Sequence, residues 1–160
     1  MVSQSPAASA LFLREAEVRR GIELMHFGQA ALHRALEPAL AAAGLGRAHQ
    51  RALYFIARQP DLSVTDLLRL LAITKQSLGR VLGDLSAQGL VETRQGRNDR
   101  RQRLLRLTDA GRTLEAQLYE AMRSRLAAAY AEAGQDAVTG YWRVLEGLIP
   151  ESERARLLRP

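Results

Sequence analysis

The chain has 160 residues, 47% of them hydrophobic, a formal net charge of +6 and no cysteine. That length and apolar content are enough for one compact unit with a core, so disorder is a poor description of the whole, and the missing thiols exclude disulfides, thiol redox sensing and cysteine-bound zinc. No stretch approaches the ~18 apolar residues of a membrane span, and MVSQSPAASALFL has no positive region before its brief apolar run, so a cytoplasmic location without a membrane partner is expected.

Residues 1–9 are expected to be a disordered N-terminal segment. Leu11 to about Ala43 then reads as a long helix, weakened by Gly21 and Gly28, kinked at Pro38 and ended by Gly44 and Gly46. A second helix, about His49 to Arg58, delivers Leu53, Tyr54 and Ile56 to a core before Gln59 and Pro60 turn the chain. Ser63 to Asp66 fits a capping box, and Leu67, Leu68 and Leu71 follow at helical spacing. Thr74 is the next N-cap. Leu78, Val81, Leu82 and Leu85 recur at i, i+3, i+4, i+7, with Gly89 as the stop. Two helices so separated by a few residues have the spacing of a helix-turn-helix.

Leu90–Arg94 and Gln102–Leu107 are strand-like and flank a polar tip, which predicts a hairpin. Thr108 caps a helix running toward Ala133 with Leu114, Leu118, Met122 and Leu126 as its stripe, and Gly134 closes it. In the last helix Val138, Tyr141, Leu145 and Leu148, with Trp142 and Ile149 alongside, offer more apolar surface than so small a chain needs for itself. A partner helix is expected to cover it. No internal repeat or low-complexity tract is present beyond the first residues.

The charge is concentrated. Thr74 to Arg112 holds nine Lys/Arg against four Asp/Glu, and the hairpin carries Arg94, Arg97, Arg100, Arg101, Arg103 and Arg106 with only Asp99 near its tip. Such a density repels itself unless an anion is close, and phosphate is the obvious one. On the helix after Thr74, the stripe opposite the leucines is Gln76, Gly79, Arg80 and Gly83. Each glycine costs a helix roughly 1 kcal/mol relative to alanine, so a face that accepts two gains from being thin, as close approach to DNA requires. Gln76 and Arg80 would reach base edges, and Lys75 and Ser77 would hold phosphates. No residue between Ile56 and Leu118 is aromatic, so the stacking platforms used on single strands are missing and duplex DNA is favoured over RNA.

Leu53 through Gly111 resembles the winged helix-turn-helix of the MarR transcription regulators. The residues that carry the resemblance are Gly89-Leu90-Val91 after the recognition helix, Asp99-Arg100-Arg101 at the wing tip and Leu107-Thr108-Asp109-Ala110-Gly111 at the exit. The resemblance implies that Arg101 enters the minor groove and that Asp99 orients nearby arginines. The expected DNA-contacting set is Thr74, Lys75, Gln76, Ser77, Arg80, Arg97, Asp99, Arg100, Arg101 and Arg103.

The expected fold is mainly α, a winged helix-turn-helix with a two-stranded wing flanked by N- and C-terminal dimerisation helices. Residues 45–108 would form the DNA-binding lobe, with 10–44 and 109–160 forming the dimerisation helices. The resemblance further implies a twofold homodimer on a pseudopalindromic operator; repression by occluding the promoter is expected, with activation as the alternative. It also implies a small aromatic or anionic effector between the dimer helices and the lobe, for which His26, His33, Tyr54 and Arg58 are the candidates.

Two other readings stand beside this one. The winged helix could serve as a protein interaction module, its arginines meeting an acidic protein, or the chain could be a small-ligand carrier or enzyme. The glycine-thinned face disfavours the first. The second lacks a cysteine nucleophile, a phosphate loop and an HExxH element, and His26 and His33, seven apart on one helix face, have no further ligands with which to complete a metal site. No cofactor, metal or catalytic residue is expected.

Overall fold

The computed structural model describes residues 11–96 and 101–157; the expected disordered segment and the wing-tip residues Arg97, Asp99 and Arg100 lie outside them. A 3-10 turn at Leu11–Leu13 leads into α1 (Glu15–Ala42), then α2 (Arg47–Arg58), β1 (Leu62–Ser63), α3 (Val64–Leu71), α4 (Lys75–Ala87), β2 (Val91–Gln95), β3 (Arg103–Leu107), α5 (Asp109–Ala133), α6 (Gln135–Leu148) and α7 (Glu151–Leu157). Helix α1 continues through Pro38, whose missing N–H forgoes one bond to the preceding turn.

Three helices start on hydroxyl caps at the expected residues. Ser63 Oγ accepts the Asp66 N–H at 3.0 Å, Thr74 Oγ1 the Ser77 N–H at 3.1 Å and Thr108 Oγ1 the Gly111 N–H at 3.0 Å. Helices α1 and α4 end alike. Gly44 and Gly89 adopt φ +65° and +66°, and the following leucine N–H reaches back to the helix, Leu45 to the Leu40 carbonyl and Leu90 to the Leu85 carbonyl, each at 2.9 Å. Both leucines are then buried, so the glycine-leucine pair closes a helix and inserts an apolar plug in one step.

The sheet has three strands in the order β1-β3-β2, all antiparallel: β2 and β3 make the expected two-stranded wing, and β1 adds a third strand that was not expected. β1 pairs Leu62 with Leu105 and Ser63 with Leu104. A two-residue strand has no periodicity to read, and Ser63 is legible only as a cap. The expected last helix forms as α6, and a short helix not expected, α7, follows it, because Ile149 is extended and Pro150 starts a new turn.

The core takes Leu36 and Leu40 from α1, Leu53 and Ile56 from α2, Leu67 and Leu71 from α3, Leu78, Val81 and Leu85 from α4, Leu105 and Leu107 from β3 and Leu118 from α5. Helix α6 contributes no buried residue.

Helix α5 meets this unit at one very close contact. The Leu90 carbonyl accepts the Thr108 N–H at 3.1 Å, the Thr108 hydroxyl donates to the Gly89 carbonyl at 2.6 Å, and a Cβ on Gly111 would stand 2.0 Å from the Leu90 oxygen. No side chain fits there unless the backbone moves. Gly111→Ala is therefore expected to destabilise the fold by about 2–3 kcal/mol, in the range of overpacked core sites. Thermal denaturation followed by circular dichroism measures it, and an unchanged midpoint would contradict the close approach.

Candidate nucleic-acid interface

Helix α4 buries Leu78, Val81 and Leu85 and turns Gln76, Gly79, Arg80 and Gly83 to solvent. A Cβ added at Gly79 or Gly83 would meet nothing within 4 Å, so neither glycine is required by packing against the rest of the chain. The face is thin and open. At the helix start the Thr74 hydroxyl donates to Ser77 Oγ at 2.8 Å, which leaves the Ser77 hydroxyl hydrogen for an outside acceptor. Lys75 is exposed beside them.

Two contacts from α2 hold the helix pair. The Arg51 guanidinium donates to the Leu71 carbonyl at 2.7 Å, placing a cation at the C-terminus of α3, where Ala72 turns left-handed at φ +51°. His49 accepts the Gly46 N–H on Nδ1 at 3.1 Å and places Nε2 3.0 Å from Asp84 Oδ2 on α4. Neither residue stood out in the sequence. The available signal was Asp84, a carboxylate in the last turn of a helix, where the dipole disfavours negative charge.

In the wing, β2 and β3 pair from Val91–Leu107 out to Gln95–Arg103, and the Gly96 N–H extends the ladder to the Gln102 carbonyl at 2.9 Å. Arg101 and Arg103 are exposed where the chain enters β3. The expectation of mutual repulsion among the wing arginines needs correction, because two of them are neutralised within the chain. Arg94 pairs with Glu92 at 2.6 Å, and Arg106 grips both carboxylate oxygens of Asp61 at 2.6 and 2.5 Å. The Asp61 hydrogen bond and charge raise the Arg106 pKa above its already high value. Asp61 lies 45 residues upstream, so no local charge count finds the pair. Arg112 is likewise bound to Asp109 and to the Leu107 carbonyl. Among the described residues, Lys75, Arg80 and Arg103 have no carboxylate partner. Within the helix-turn-helix and wing, cations open to an external anion thus include Lys75 and Arg80 on α4 and Arg103 at the start of β3.

Among the described residues no hydrogen bond, ion pair or ring contact joins any two of the four effector candidates. His26 is exposed and meets Phe27 edge-on, and Tyr54 meets Phe55 in the same way. Arg58 is exposed at the end of α2. His33 is partly buried, and its pKa is lowered by burial first and then by the charges of Arg47 and Arg51, with Glu37 opposing. The Arg47 and Arg51 guanidiniums of α2 thus act on His33 of α1. On α5, burial raises the Glu115 carboxyl above its ordinary range.

Most large apolar side chains left exposed belong to the terminal helices. Phe12, Leu13, Val18, Ile22, Leu24, Met25 and Phe27 precede the buried part of α1, and Tyr141, Trp142, Val144 and Leu148 lie on α6. Trp142 is 51% exposed even though its indole donates to the Tyr130 hydroxyl at 3.0 Å. No helix among the described residues is long and apolar enough to cross a membrane.

The model of the MarR family matches residues 43–102, from the end of α1 to the wing. The HTH-type transcriptional regulator PetP of Rhodobacter capsulatus is 46% identical over 144 residues, which cover 90% of this chain and 87% of that protein. NadR, solved in complex with 4-hydroxyphenylacetate, superposes with a TM-score of 0.69 at 26% identity over 92% of this chain and 97% of the other. A MarR mutant from E. coli, complexed with operator DNA, superposes with a TM-score of 0.67 at 23% identity over 88% and 99%. With a PetP relative this similar along nearly its whole length, and a winged helix-turn-helix built from the motifs of those regulators, the chain belongs to the MarR family of transcription regulators.

Proposed function

We propose that this regulator binds a pseudopalindromic operator as a homodimer, with α4 in the major groove and the wing at the adjoining minor groove, and represses by occluding the promoter. The observation that carries the reading is the α4 face. Gln76 and Arg80 project from a helix side thinned by Gly79 and Gly83, opposite the buried leucines and beside unpaired cations. Thr74, Lys75 and Ser77 at the helix start would meet phosphates. Arg101, with Asp99 orienting its neighbours, would enter the minor groove, and Arg97, Arg100 and Arg103 would contact the backbone.

Residues 45–108 serve as the DNA-binding lobe, and 10–44 with 109–160 associate across the twofold axis. The apolar side chains exposed on the first half of α1 and on α6 support that assignment, since water does not tolerate so many cheaply on a monomer. A dimer also supplies the two half-sites that one helix-turn-helix lacks. The protein would work in the cytoplasm, where the chromosome is.

An anionic or aromatic effector that releases the operator fits the positive field of Arg47 and Arg51 at His33. The 4-hydroxyphenylacetate complex of NadR is a precedent for the ligand class in a related fold. His33 is the best supported of the four candidates, and His26, Tyr54 and Arg58 stand with it as untested positions.

Binding-site selection from a random duplex pool tests the α4 face. Arg80→Ala is expected to lose roughly 1–3 kcal/mol of base preference at one position in each half-site, with the half-sites about one helical turn apart. Gly79→Leu should fold at least as stably, since its side chain enters open space, yet bind DNA worse by thickening the face. Unaltered preference in the first variant, with normal binding in the second, would reject the reading.

On the wing, Arg101→Ala should weaken the selected duplex without changing the fold. Arg103→Ala should weaken specific and nonspecific DNA alike and flatten the salt dependence by about one unit of slope. Equal salt slopes for the Arg103 variant and the wild type would remove Arg103 from the phosphate contacts.

Sedimentation velocity tests the assembly. A dimer is expected at micromolar concentration, and deletion of residues 135–160 is expected to dissociate it. A wild-type monomer, or an intact dimer after the deletion, contradicts the proposed interface.

A further inference from the structure

Asp84 is in the wrong place for the stability of its own helix. It occupies the last turn of α4, where the unpaired carbonyls already concentrate negative charge, and among the described residues its carboxylate has one partner, His49 of α2, at 3.0 Å. His49 is bound at its other nitrogen as well. Nδ1 accepts the Gly46 N–H at 3.1 Å, so the hydrogen-bond network assigns the ring hydrogen to Nε2, which donates to Asp84. The imidazole side chain is largely enclosed, only 16% exposed, while the carboxylate is 51% exposed. One ring thus joins the turn between α1 and α2 to the far end of the helix that carries Gln76 and Arg80.

The side-chain packing of α4 is of a different kind. Leu78, Val81 and Leu85 bury the helix by apolar contact, which is less directional, and the hydrogen bonds of Thr108 to the Gly89 and Leu90 carbonyls act just beyond its C-terminus. A hydrogen bond to a carboxylate is directional, and Asp84 is one turn from Arg80 and two turns from Gln76. It is therefore placed to fix the roll and tilt of the reading face.

We infer that His49 is a positioning residue for DNA reading, which through Asp84 holds α4 at a set attitude to the α1–α2 joint. The inference rests on the reading that α4 faces the duplex. Loss of the contact leaves the fold and the phosphate contacts in place, yet Gln76 and Arg80 then meet the bases less well preorganised, so specific affinity falls and nonspecific affinity does not.

Side chains that each reproduce one ring nitrogen's hydrogen bond separate this role from a merely structural one. His49→Asn retains an acceptor for the Gly46 N–H and is too short for Asp84; His49→Gln carries a donor to the Asp84 position. With a duplex selected by the wild-type protein, and a scrambled duplex for nonspecific affinity, His49→Asn and Asp84→Ala are each expected to weaken specific binding about fivefold. The double variant should be no worse than either, the signature of a shared contact. His49→Gln should stay within about twofold of wild type, and scrambled-duplex affinity should be unchanged throughout.

Losses that multiply in the double variant, or a His49→Gln variant as weak as His49→Asn, overturn the inference. If His49→Asn fails to fold, Asp84→Ala decides, and unchanged specific affinity in that variant overturns it. Arg80→Ala measured alongside distinguishes the two levels. If Arg80→Ala alters base preference while the His49 and Asp84 variants bind normally, only the positioning role falls. If Arg80→Ala has no effect either, the placement of α4 against DNA falls, and the inference with it.

Discussion

The junction between Gly89-Leu90 and Thr108-Gly111 is the constraint on which the rest of the molecule depends. There the chain leaves α4, makes the whole wing and returns, and α5 begins directly against the turn it left. Thr108 caps α5 with its hydroxyl oxygen and donates the same hydroxyl to the Gly89 carbonyl, while its N–H goes to Leu90. Gly111 has no Cβ, so the first turn of α5 can press on the Leu90 carbonyl. The consequence is mechanical. The end of α4, the base of the wing and the start of the longest C-terminal helix form one hydrogen-bonded corner, so a shift of α5 would carry with it the two elements proposed to face DNA.

Around this corner apolar burial is unevenly distributed. The lobe from the end of α1 through β3 supplies almost all of the core, and Leu118 of α5 is the one fully buried contribution from beyond Gly111. The first half of α1 and all of α6 retain exposed aromatic and aliphatic side chains. A single chain therefore holds a well-buried lobe on terminal helices that keep much apolar surface exposed. In the proposed dimer these helices cover each other, and the separation of the two lobes is set by how they do so. Ligands at the α1–α2 joint would act on that separation and, through Gly46 and His49, on the attitude of α4.

Charge is allocated with similar economy. The two arginines nearest the sheet base, Arg94 and Arg106, are paired within the chain, and the Arg106–Asp61 clamp ties β3 back to the loop before β1. These half-exposed pairs add little to stability. Their effect is to hold the ribbon and to neutralise the positive charge at its base. Lys75 and Arg80 on α4 and Arg103 on β3 keep theirs, so an anion near the lobe is drawn to them more than to the sheet base.

Local signals settled much of this architecture. Hydroxyl caps at Ser63, Thr74 and Thr108, glycine stops at Gly44, Gly89 and Gly134, and leucines at helical spacing depend on neighbours within a few residues, so they are visible in a one-dimensional string. The same holds for the Gln76-Arg80 stripe and the motifs that mark the family. What the string could not decide depends on residues far apart. The two-residue β1 exists only because β3 offers it a ladder. Asp61 meets Arg106 across 45 residues, and His49 meets Asp84 across 35. The apolar surplus of α6 was legible as a pattern, but only its position outside the lobe core established that the chain does not bury it alone. Sequence by itself determined most of the elements, their ends and the polar stripe of α4, because these follow from backbone sterics and short-range periodicity. Tertiary structure alone decided which charges remain unpaired and how α4 is held, because each depends on side chains that only the folded chain brings within hydrogen-bonding distance.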